Sequence, residues 1–250
     1  MDFIFEFSVI FILVFFQSLF GVGLLLFGTP IFLLLGYNFE ATLTLILPIS
    51  IIISLLQIIY HKNTNNNNIL EFNTYCLPFL VIFLMITIYF GNLFNIKLYV
   101  SILLIISSLI LLNKNRIFKA TETLLNFRKV FLVIIGSIHG ATNMGGAFLS
   151  IFSSLANEEN RLYTRSYIAY GYFVMGLIQY LTILIFGKAI IDFSKLYYMI
   201  LPLIVFYPLQ NLFSKMNDKF FISIINYVAL SFGIIAFIMS IYPQIPIFYD

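Results

Sequence analysis

The sequence predicts an all-α polytopic membrane protein made of two inverted repeats, each a broken, short helix hairpin followed by three membrane helices. Three observations predict it. Of 250 residues, 62% are hydrophobic and 9% charged, whereas a soluble domain carries about 25% charged residues to cover its surface. Several windows, among them 41–60, 72–90 and 96–112, are apolar over roughly the 20 residues a helix needs to cross the hydrocarbon. They are continuously apolar and do not alternate, which excludes a β-barrel. The third observation is a glycine-rich break followed by a short apolar segment, present once in each half of the chain.

Ten apolar segments follow in order. The first, 3–20, has no basic leader and carries Asp2 and Glu6, so it reads as a retained span and not a cleaved signal. Gly21-Val22-Gly23 interrupts the chain, and a segment of only a dozen residues, 24–35, ends at Gly36. Segment three is 41–60. A polar loop with the run Asn65–Asn68 leads to segments four and five, 72–90 and 96–112. Residues 1–112 form the first membrane repeat, 113–129 a basic cytoplasmic linker, and 130–250 the second repeat. There segment six, 130–142, is followed by a second break, Asn143-Met144-Gly145-Gly146, and a second short segment, 147–156. Segments eight to ten cover 165–186, 193–213 and 220–241. Pro48, Pro78, Pro202 and Pro208 read as kinks, which membrane helices tolerate.

The halves align with a nearly constant offset. Gly23 matches Gly145 at 122 positions and Leu77-Pro78 matches Leu201-Pro202 at 124. Interrupted short segments at corresponding places in two halves point to a transporter binding site. Five segments per half, an odd number, invert one half relative to the other. With the linker placed inside, Lys62, Lys114, Arg116, Lys119, Arg128, Lys129, Arg161, Arg165, Lys215 and Lys219 fall inside, and only Lys97, Lys188 and Lys195 outside. That bias follows the positive-inside rule and puts both termini outside.

The breaks also carry the candidate chemistry. A helix that starts inside a membrane leaves backbone N–H groups unpaired and places about half a positive charge there. Two such starts, near Leu24 and Gly146, are expected to face one mid-depth site suited to an anion. Gly21, Gly23, Gly145 and Gly146 let backbone approach a ligand without a Cβ. Gln17, with Ser18 beside it, precedes the first break; His139, Thr142 and Asn143 line the second, and Gln17 and His139 are equivalent under the offset. His139 could carry a proton. Gln57 and Gln179 lie at matching depths as amide donors or as interhelical glue. Arg165 could bind an anion or mark the interface. No Asp or Glu lies centrally in any segment, which weighs against cation pumps. The single cysteine, Cys76, excludes an internal disulfide or thiol pair. The metalloprotease, nucleophile-elbow and P-loop patterns are missing, which speaks against an enzyme.

These residues resemble a known family. Gly21-Val22-Gly23-Leu24-Leu25-Leu26-Phe27-Gly28-Thr29-Pro30, then Gly36, Glu40-Ala41 and Thr44, is similar to the first repeat of the sulfite exporter (TauE/SafE) family. Gly140, Gly145-Gly146-Ala147 and Arg165 match its second repeat, and the resemblance covers about residues 8–240. The chain departs from the family pattern at Leu24, Leu25, Asn143 and Phe152. The resemblance implies a secondary permease in the cytoplasmic membrane for sulfite, thiosulfate, a sulfonate or a small organic acid, with no cofactor. Partners expected are the bilayer and a small anion, with no nucleic acid; a homo-oligomer is left open. The alternative reading is a passive channel or a non-transporting assembly subunit.

Overall fold

The computed structural model describes residues 3–21, 23–61, 66–112, 127–156, 161–188 and 192–215, together with 227, 230–231, 233–235 and 237–241. Most of the linker, part of segment ten and the tail after Ile241 lie outside the described residues. So do Lys62, Lys114, Arg116, Lys119 and Lys219. The described residues form helices and no strand.

The first half contains α1 (Phe3–Phe20), α2 (Leu24–Leu34), α3 (Phe39–His61), α4 (Asn66–Tyr75), α5 (Leu77–Phe90) and α6 (Ile96–Leu112). The second contains α7 (Arg128–Thr142), α8 (Gly145–Ala156), α9 (Arg161–Phe186), a 3-10 segment (Phe193–Ile200) and α10 (Leu201–Lys215). Four helical stretches, Phe3–Phe20, Phe39–Tyr60, Ile69–Phe90 and Leu162–Phe186, are long and apolar enough to cross a membrane. Large apolar side chains such as Ile4, Ile185 and Ile204 face outward. The interior, by contrast, holds Gln17, Ser50, Ser54, Gln57, His139 and Gln179, all fully buried. Apolar outside and polar within is the distribution of a helical membrane protein, where lipid takes the place of water at the surface.

Helix directions follow from the pairs that touch. Glu6 near the start of α1 meets Tyr37 just before α3, and Gln17 further along meets Ser50 and Ser54, so α1 and α3 run parallel. Glu6 meets Lys195 and Ser18 meets Gln210, so α10 also runs with α1. On the other side, Gly136 packs on Cys76 and Gly140 on Leu80, so α5 and α7 run together. Asn73 meets Tyr170 and Cys76 meets Met175, so α9 shares their direction. Yet α3 and α9 oppose each other: Glu40 reaches Lys188 while Ile51 packs on Gly176. Thus α1, α3 and α10 run one way and α5, α7 and α9 the other.

The close α5–α7 contact has a sequence cause. Gly136-Ser137-Ile138-His139-Gly140 is a small-xxx-small stripe that allows backbones to touch. A Cβ on Gly136 would strike the Cys76 carbonyl, and one on Gly140 the Leu80 carbonyl. The helix α2 is apolar on every side and buried from Leu24 to Pro30, the pattern of a helix that faces neither water nor lipid.

Several boundaries differ from expectation. The second break covers only Asn143 and Met144, because Gly145 and Gly146 already belong to α8. Helix α9 begins at Arg161 and not Arg165. Residues 193–200 form a 3-10 segment before α10. Pro78 and Pro202 each stand second in their helices, at the junction with the helical segment before: Cys76 keeps helical geometry, and the apolar stretch Ile69–Phe90 runs on through Pro78. Pro48 and Pro208 do lie inside helices.

Candidate functional site

Each break is a short excursion out of helical geometry. Gly21 and Gly23 take φ of 78° and 152°, a region that strongly favours glycine. The second break turns on Asn143 at φ 62°, the residue type other than glycine that best tolerates the left-handed region. Asn143 therefore does in the second half what glycine does in the first.

The helix ends at both breaks are capped in the same way. At the end of α1, the Gln17 carbonyl accepts the Gly21 N–H at 2.9 Å and the Gln57 side-chain amide at 2.9 Å. At the end of α7, the His139 carbonyl accepts the Asn143 N–H at 2.7 Å and the Gln179 amide at 3.1 Å. Each glutamine lies 40 residues after the carbonyl it caps. Gln57 and Gln179 are thus equivalent caps that give a second donor to a carbonyl already bonded to a backbone N–H at a buried helix end. Because a carbonyl can only accept, each amide is oriented with its NH2 spent. Gln57 Oε1 and Gln179 Oε1 then remain without hydrogen-bond partners in the interior.

The first break holds a polar network in which Ser18 Oγ, like Gln57 Oε1, has no hydrogen-bond partner. Gln17 donates to Ser50 Oγ at 2.9 Å and Ser54 Oγ at 3.3 Å. Arg165, 5% exposed, donates to the Ser18 carbonyl at 3.1 Å and to Gln210 Oε1 at 2.9 Å, and Gln210 donates to the same carbonyl. A buried guanidinium beside the C-terminal end of α1 meets the negative pole of that helix. Arg165 therefore belongs to the interior and not to the interface; a Cβ on Gly21 would lie 3.8 Å from its side chain.

The second break also holds polar atoms without hydrogen-bond partners. The Tyr172 hydroxyl packs directly on Gly146 in the first turn of α8, in the space that any Cβ there would need. It has no hydrogen-bond partner and Tyr172 is 1% exposed. The Tyr172 ring stands edge-on to His139 at 6.4 Å, and neither imidazole nitrogen meets a partner. Asn143 donates to Thr29 Oγ1 at 2.8 Å, while Thr29 donates to the Leu25 carbonyl. That fixes the Asn143 amide and leaves its Oδ1 unpartnered.

The sequence-predicted residues thus separate into two groups. Gln17, Gly21, Gly23, Gln57 and Arg165 surround the first break; His139, Asn143, Gly145, Gly146 and Gln179 surround the second. The hydrogen bond that joins the second break to α2 runs from Asn143 to Thr29, five residues beyond Leu24. Sequence reasoning missed Tyr172, Ser50, Ser54 and Gln210. The repeat offset already paired Ser50 with Tyr172, as it paired Gln17 with His139, and was the available signal. Two exchanges then compensate in volume: Leu24 and Ser50 in the first half stand where Gly146 and Tyr172 stand in the second.

No family model matches the chain, and neither a curated protein nor a solved structure matches it.

Proposed function

We propose that the chain is a secondary transporter for a small oxyanion, of the sulfite, thiosulfate, sulfonate or small organic acid class. It spans the cytoplasmic membrane several times as two inverted repeats with both termini outside. One observation carries the reading: the unpartnered Tyr172 hydroxyl, next to His139, lies against Gly146 in the first turn of α8. The start of a helix of this length attracts negative charge through free N–H groups and dipole. A buried hydroxyl with nothing to donate to costs about 1–3 kcal/mol, a cost that a bound acceptor removes. The anion would occupy the space that the hydroxyl now fills, with His139 and Asn143 beside it. The opposed directions of α3 and α9, and the duplicated glutamine caps, support two inverted halves moving about this site. The resemblance to the sulfite exporter family is consistent with the same cargo.

Purified protein in proteoliposomes tests the proposal with radiolabelled sulfite, thiosulfate and sulfoacetate. Saturable flux of at least one, competed by the unlabelled anion, is expected. Folded protein that moves none of the three overturns it.

A further inference from the structure

Two ion pairs outside the breaks occupy positions that the repeat offset makes equivalent, with their charges exchanged. Glu6, in the first turn of α1, pairs with Lys195 at 2.8 Å. Arg128, the first residue of α7, pairs with Glu71 at 2.6 Å. Position 6 maps on 128 at the offset of 122, and 71 maps on 195 at the offset of 124. Each pair has a cation–tyrosine contact beside it: Lys195 lies 5.2 Å from the Tyr37 ring centre, and Lys129 lies 5.3 Å from that of Tyr75. Tyr37 also donates to Glu6 at 2.6 Å and accepts from Lys195 at 3.1 Å.

Each pair joins the same two structural parts. One partner begins the helix that runs to a break; the other lies on the segment leading into the helix packed beside it, α10 for α1 and α5 for α7. Because α1 and α7 run in opposite directions, the pairs lie at opposite ends of the bundle. Helix stability does not account for both. A carboxylate suits a helix N-terminus, but a cation there is disfavoured, so Arg128 is held by Glu71 and not by the dipole of α7. A cavity of about 170 Å³, lined in part by Tyr37, Thr44, Pro48, Asp192 and Lys195, adjoins the first pair. Its wall on α3 leads toward Ser50, the partner of Gln17.

We infer that Glu6–Lys195 and Glu71–Arg128 are the two end latches of one path, and that opening one favours closure of the other. The inference rests on the inverted-repeat reading above, and assigns a role to four residues outside the breaks. Both latches are engaged here, which makes this conformation an occluded one. Inverted repeats exchange conformations between faces, so equivalent pairs at opposite ends are the contacts that must break in turn.

Hydrogen–deuterium exchange on the full chain in lipid nanodiscs tests this without any substrate. Glu6→Gln is expected to raise amide exchange over 193–200 and at the start of α1 by about fivefold, the factor that one kcal/mol of lost stability gives. At the same time exchange over α4 and the start of α7 should fall. Glu71→Gln should give the mirror pattern. The exchanged pair, Glu6→Lys with Lys195→Glu, should restore the parent pattern. A rise confined to the substituted end, with the other end unchanged, overturns the inference. Lys195→Met and Arg128→Met give the same reading if the exchanged pair does not fold. Reciprocal exchange without anion flux would remove the transport reading and keep the latches; anion flux without reciprocity would do the opposite.

Discussion

At the scale of single residues, Tyr172 separates stability from function. Its hydroxyl has no partner in the folded chain. Tyr172→Phe should therefore leave thermal stability unchanged or raise it by up to about 2 kcal/mol, since a buried, unsatisfied group is removed. Anion binding should weaken about tenfold or more, the worth of a hydrogen bond to a charged group. Fluorescence-detected melting and saturation of flux measure the two halves of this prediction; parallel loss of both would make Tyr172 a packing residue. Asn143 gives a second contrast. Asn143→Gly keeps the left-handed turn open but loses the bond to Thr29, whereas Asn143→Val meets a backbone strain of about 1–2 kcal/mol as well. The valine variant should melt lower than the glycine variant. A reversed order would mean that the turn does not limit stability.

At the scale of elements, the glutamine caps are the features most open to test. Gln57→Leu and Gln179→Leu each strip a side-chain donor from a buried helix-end carbonyl and remove an unpartnered amide oxygen with it. The carbonyl keeps its backbone N–H, so the net cost should be modest, about 1–2 kcal/mol. Unfolding in mixed micelles should show similar losses for the two, because the caps are equivalent; a large inequality would argue against equivalent halves. How much of this was legible in the sequence differs from element to element. Both breaks were legible, since Gly21 and Gly23 sit where apolar segments stop, and Leu77-Pro78 and Leu201-Pro202 start helices in both halves. The 3-10 segment was not, because nothing local in Phe193–Ile200 separates it from the apolar helix Leu201–Lys215 that it leads into. For Arg165 the sequence left two readings, an anion contact or an interfacial charge; its burial depends on Ser18 and Gln210, which are distant in sequence. Tyr172 was overlooked because a tyrosine in an apolar helix looks like packing until its neighbour proves to be a glycine.

At the scale of the whole molecule, the directions of the helices predict which surface each charge meets. With the basic side inside, a cysteine at Lys188 should react with a membrane-impermeant maleimide in intact cells. One at Lys129 should react only after permeabilisation. Cys76 is buried and should stay silent in both cases. Labelling of both from one side would break the inverted arrangement, and with it the opposed placement of the two latches.

The burial of α2 also has a consequence in time. Its 11 residues are too few to cross the hydrocarbon alone. Its Thr29 receives Asn143 from 114 positions later in the chain, and α8 packs on it as well. During synthesis, then, α2 finds α1, α3 and α6 within the first half, but Thr29 waits for Asn143. A nascent chain arrested after Leu112 should protect most of α2 yet leave a cysteine at Thr29 open to modification. That last gap should close only once the second half has been made; full protection already at Leu112 would mean that the first half closes by itself.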